Sequence, residues 1–128
     1  MQGASQIPLK TTFSLRQPFR NRMISTVIFC ESAAFSKAVQ SILSEERYFA
    51  LQDQLLETPE TGDVIPGSKG LRKIRVASGG KGKRGGSRVI YYWYVTPEKI
   101  QFCRIYEKSS QANVSKATIQ QILTELDP

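Results

Sequence analysis

Between Leu71 and Tyr106 three strand-like runs follow one another with little room for a helix between them. Leu71 to Ala77, Ser87 to Val95 and Lys99 to Tyr106 are rich in β-branched and aromatic residues, the composition of half-buried strands. Thr96-Pro97-Glu98 is a tight link, so the last two runs are expected to form an antiparallel hairpin. A glycine-rich stretch joins the first two. This succession commits the second half of the chain to a sheet of antiparallel neighbours.

The remaining elements arrange themselves around that sheet. Thr26 to Cys30 (TVIFC) reads as a buried strand. Ser32 can cap a helix whose apolar positions are Phe35, Val39, Ile42 and Leu43. Ser44 can cap a second, with Tyr48, Leu51, Leu55 and Leu56 on one stripe and Phe49 at its edge. That helix should stop near Thr58-Pro59, because the residue before a proline resists helical dihedrals. Pro66-Gly67 signals a turn. A last helix begins at a Ser115 cap, with Ile119, Ile122, Leu123 and Leu126 at helical spacing and Val114 and Ile119 placed to form a hydrophobic staple. The expected order is β-α-α-β-β-β-α. It describes an α+β domain with a small antiparallel-rich sheet, two N-terminal helices and a C-terminal helix, the helices on one sheet face. The 128 residues fit one domain. Residues 1–22, with four cations and no anion, read as a flexible basic extension, and residues 23–128 as the folded domain.

Charge is distributed unevenly. Lys69, Arg72, Lys73, Arg75, Lys81, Lys83, Arg84 and Arg88 place eight cations and no anion within 20 residues, whereas the other 108 residues carry ten cations and eleven anions. A dense segment of one sign fits a polyanionic partner such as RNA; the plain alternative is a solvated basic loop. Strand alternation puts Ile74 and Val76 on the core face and Leu71, Lys73 and Arg75 on the opposite, open face. If Arg88 faces the same way, three cations converge there, with rings such as Tyr92 available to stack on bases. Tyr91 and Trp93 are better read as core. Arg72 points to the core face but sits near a strand start, where it could reach out at the sheet edge; Arg104 can extend the basic surface. Lys81, Lys83 and Arg84, in the glycine-rich loop, are expected to grip RNA phosphates.

Several chemistries are excluded. The chain has no histidine, so histidine triads, histidine acid/base pairs and histidine-ligated metals are ruled out. Its two cysteines, Cys30 and Cys103, read as buried reduced thiols. Gly80 and Gly85 have phosphate-loop spacing, but Gly86-Ser87 follows in place of Lys-Ser or Lys-Thr, and the loop joins two strands. Apolar runs are far short of a membrane span. RNA cleavage by attack of a 2′-hydroxyl would need a base, an acid and stabilisation of the phosphorane. Lysine can act as base where neighbouring cations lower its pKa, and arginine suits charge stabilisation.

The run Gly62-Asp63-Val64-Ile65-Pro66-Gly67-Ser68-Lys69-Gly70-Leu71-Arg72-Lys73-Ile74-Arg75-Val76-Ala77 resembles the HigB branch of the RelE superfamily of toxins. The likeness continues through Gly80-Lys81-Gly82-Lys83-Arg84-Gly85-Gly86-Ser87-Arg88-Val89-Ile90-Tyr91-Tyr92 and Ile105-Tyr106-Glu107-Lys108, and extends from about Met23 to the C-terminus. It implies a RelE-like fold and a toxin of a type II toxin-antitoxin pair. Such a toxin is a cytoplasmic endoribonuclease that cuts mRNA on translating ribosomes, contacts ribosomal RNA and uses no metal or cofactor. It is inhibited by a cognate antitoxin with a helix-turn-helix domain. By position, the resemblance implies Lys73, Arg75, Arg88 and Lys108 as catalytic residues, with Lys73 as base and Lys108 as acid. Some members carry an arginine just after the Lys108 position, where this chain has Ser109, and some use a C-terminal tyrosine, whereas none follows Tyr106. A non-catalytic RNA- or ribosome-binding module, or a basic face that docks an acidic partner, are the alternatives.

Overall fold

The computed structural model describes residues 13–16, 27–80, 86–96, 98–111 and 113–126. Within them a mixed six-stranded sheet carries helices on both faces. In chain order the elements are β1 (Phe13–Arg16), β2 (Val27–Glu31), α1 (Ala33–Ile42), α2 (Glu45–Glu57), β3 (Asp63–Val64), β4 (Arg72–Val76), β5 (Ser87–Tyr94), β6 (Lys99–Glu107) and α3 (Lys116–Glu125). The spatial order is β1-β2-β6-β5-β4-β3. All neighbours are antiparallel except β2 and β6.

Local chemistry sets the helix starts. Ser32, Ser44 and Ser115 each accept a backbone N–H three residues on, at 3.1, 3.2 and 3.1 Å, and so satisfy a donor that the first turn leaves unpaired. Ser32 also donates to the buried Cys103 carbonyl at 2.8 Å, which joins the start of α1 to β6. At the end of β2, the Glu31 carboxylate accepts from Ser36 at 2.6 Å and Tyr48 at 2.5 Å, tying both N-terminal helices to the same strand.

Alternation along β5 divides the interior in two. Val89 and Tyr91 face a larger core formed with α1, α2, β2 and β6, in which the Phe102 ring lies 5.0 Å from Phe35, 5.5 Å from Tyr48 and 5.7 Å from Phe29. Burying each such side chain contributes roughly 1.5–3 kcal/mol. Ile90 faces the other way, into a smaller core with Leu71, Cys103, Tyr106, Ile119 and Ile122.

This second core corrects the expectation of helices on one sheet face. The apolar stripe of α3 lies across the side of the sheet that carries Lys73 and Arg75, so that side is not bare. Leu71, read as facing solvent, is fully buried beneath it. Two strands also join those expected. Four residues of the span read as a flexible extension, Phe13–Arg16, form β1 on the outer edge of β2; the other residues of 1–22 lie outside those described. The two residues of β3 pair with β4, in a stretch that reads only as a turn. Cys30 and Cys103 are buried and not joined in a disulfide, as expected. Among the described residues, no helix is long and apolar enough to cross a membrane.

Candidate functional site

The sheet register gathers the cations. Arg75 stands directly opposite Arg88, and Lys73 opposite Ile90, so all three basic side chains leave the same face of neighbouring strands. On the other side of Lys73, β3 sets Asp63 directly opposite it. The Lys108 N–H donates to the Gly86 carbonyl at 3.0 Å, which brings the turn after β6 alongside the start of β5.

These placements make one open cleft of about 920 Å³, lined by Lys73, Arg75, Arg88 and Lys108 together with Asp63 and Asn113. Among the described residues, four cations thus meet one carboxylate. Arg75 and Lys108 are exposed, Lys73 is half-buried, and Arg88 is only 7% exposed. Beside Arg88 across the ladder stands Tyr106, whose buried hydroxyl has no hydrogen-bond partner among the described residues. Burial pushes that phenol above its ordinary value, and the neighbouring Arg88 guanidinium opposes the shift.

The segment between β6 and α3 closes one side of the cleft. Its Asn113 side-chain oxygen accepts a hydrogen bond from Lys73 Nζ at 3.0 Å. Gln111 donates to the Asn113 carbonyl at 3.0 Å, and Val114 packs against the smaller core. Sequence reasoning missed both Asn113 and Asp63. Asn113 has no local pattern that would mark it. Asp63 lies in the quoted motif, but a two-residue edge strand leaves no periodic signal.

Other sequence candidates sit elsewhere. Arg72 faces the α1–α2 side, where its guanidinium donates to the Glu60 and Gly62 carbonyls at 3.0 and 2.8 Å. It fixes the loop after α2 and does not reach the cleft. Arg104 makes a two-pronged contact with Glu125 of α3, both bonds at 3.0 Å. Tyr92, half-buried, meets the Tyr94 ring edge-on at 4.8 Å and does not line the cleft. It covers Gly70, where φ is +106° and an added Cβ would lie 3.2 Å from the Tyr92 ring. Lys81, Lys83 and Arg84 lie outside the described residues. Tyr91 is fully buried, and Trp93 packs partly buried against the larger core while donating to Glu98 at 3.2 Å.

What the cleft offers chemically is a concentrated positive charge with two primary amines, two guanidiniums and a carboxylate at its wall. Guanidiniums hold phosphate oxygens through paired N–H donors, and amines supply or take protons. Among the described residues, no group of three or more histidine, cysteine, aspartate or glutamate side chains comes together in a way that could hold a metal ion. No protein-family model matches the chain.

Proposed function

We propose that the protein is a ribosome-dependent mRNA endoribonuclease of the RelE/HigB type, the toxin of a type II toxin-antitoxin pair. The observation that carries this reading is the convergence of Lys73, Arg75, Arg88 and Lys108 on one cleft. They come from β4, β5 and the turn after β6, and the sequence resemblance implicated the same four residues.

The cleft has the parts for metal-independent cleavage. Lys73, as a neutral amine, takes the proton of the 2′-hydroxyl. The freed oxygen attacks the adjacent phosphorus. Arg75 and Arg88 hold the added negative charge of the phosphorane. The bond from phosphorus to the 5′-oxygen then breaks, and Lys108 gives that oxygen a proton. The products are a 2′,3′-cyclic phosphate and a 5′-hydroxyl. Within the proposal the protein acts in the cytoplasm on translated mRNA, contacts ribosomal RNA and is restrained by a helix-turn-helix antitoxin.

The test is translation of a defined mRNA on purified ribosomes, with 5′ ends mapped by primer extension. Wild-type protein is expected to cut. Lys73→Ala should cut at least ~100-fold more slowly, the usual cost of losing a general base, while still binding ribosomes. Full cleavage by that variant refutes the role of Lys73. Ribosome binding and stalling without cuts by the wild type would favour a non-catalytic binding module.

A further inference from the structure

We infer that Asn113 is a positioning residue for Lys73, holding its amine at the place in the cleft where a scissile phosphate would lie; this rests on the endoribonuclease reading. Lysine ends a flexible four-carbon stem, and a base on such a stem spends little of its time in any one reactive geometry. Arg75 and Arg88 face each other across two hydrogen-bonded strands, and Arg88 is almost fully buried, so their directions are largely set by the sheet. Lys73 is half-buried. What fixes its tip is the 3.0 Å hydrogen bond to the Asn113 side-chain oxygen.

The chemistry of that contact suits a base. The amide oxygen only accepts, so it takes one N–H of the amine and leaves the nitrogen lone pair unused. An amine tethered by one N–H presents its lone pair in a restricted direction. Asp63, opposite Lys73 on β3, also lines the cleft, but no hydrogen bond between the two is seen.

Asn113 is itself held. Gln111 binds its carbonyl, Val114 next to it is anchored in the smaller core, and Ser115 caps α3 two residues on. The α3 unit therefore has two jobs: it covers the apolar part of the sheet and delivers an acceptor to Lys73. Asn113 is exposed, so replacing it should leave the fold intact.

The experiment is single-turnover mRNA cleavage on programmed ribosomes, measured over a range of ribosome concentrations. Asn113→Ala is expected to lower the saturating rate about 10- to 100-fold, as loss of a near-attack geometry does, with the half-saturating concentration within about twofold of wild type. Asn113→Gln keeps a neutral amide acceptor and should recover part of the rate, whereas Asn113→Asp puts a carboxylate beside the amine, favours its protonated form and should not. In a Lys73→Ala background, Asn113→Ala should change nothing further, since there is no amine left to hold. Thermal midpoints of the Asn113 variants should match wild type. A full saturating rate for Asn113→Ala overturns the inference alone. So does a changed half-saturation at unchanged saturating rate, or an equal loss in the Lys73→Ala background. Wild-type protein that cuts nothing overturns the endoribonuclease reading, and this inference with it.

Discussion

Replacing Tyr91 with Phe removes one oxygen atom and two hydrogen bonds. The Tyr91 hydroxyl donates to the Pro59 carbonyl at 2.6 Å and accepts from the Gly62 N–H at 2.9 Å. Its ring is fully buried in the larger core, so Phe keeps the packing. The bonds pin residues 59–62, the loop between α2 and β3, and β3 carries Asp63 into the cleft. Each hydrogen bond contributes about 0.5–1.5 kcal/mol net, and a buried N–H left without a partner costs about 1–3 kcal/mol. Water can reach the half-exposed Pro59 but not the buried Gly62, so the Gly62 N–H carries the larger share. The loss should be about 2–3 kcal/mol. For a domain of this size that lowers the thermal midpoint by about 10 °C. Circular dichroism or calorimetric melting of the purified protein measures it. A fall of less than about 3 °C would show that solvent satisfies the loop equally well, and that the hydroxyl is not what secures β3.

Three further outcomes are expected. Ser32→Ala loses both the α1 cap and the bond to the Cys103 carbonyl, and should destabilise by about 1.5–3 kcal/mol in urea titrations, well above the ~1 kcal/mol of a cap alone. Arg104→Ala breaks a partly exposed ion pair with Glu125; it should cost no more than about 1 kcal/mol and leave the salt dependence of ribosome binding nearly unchanged, whereas Arg75→Ala should flatten that dependence. Burial pushes the Cys103 thiol up to about 12, and the Tyr91 and Tyr106 phenols also rise, so the folded state favours their protonated forms. The unfolded chain ionises first and binds fewer protons above pH 9, the thiol's ordinary value; stability is therefore full below pH 9 and lost as pH climbs toward 12. A urea midpoint that stays level from pH 8 to beyond pH 10 would contradict this.

Much of the frame was legible because it is written in local chemistry. Each cap serine precedes a run of apolar residues at helical spacing, and all three caps form. Alternation along β4 separated Lys73 and Arg75 from Ile74 and Val76, and β4 shows that division. The side taken by α3 was not legible, because a stripe on a helix says that it packs without saying where. A clue was nonetheless present. Leu71 and Ile90 stand on the face of Lys73, and apolar residues of that size on a supposedly open face indicate a cover. Arg72 shows the opposite limit: its face followed from alternation, but its partners are carbonyls of a loop whose path depends on Tyr91. The cleft's cations were visible as charge, whereas Asn113 entered only through tertiary structure.

The parallel pairing of β2 with β6 has a consequence during synthesis. Partners in that ladder lie about seventy residues apart, so β2 emerges from the ribosome long before the strand that completes it. Contacts of such long range form late. Lys108 and Asn113 arrive later still, which leaves a nascent chain without a finished cleft until residues 108 to 113 have been translated.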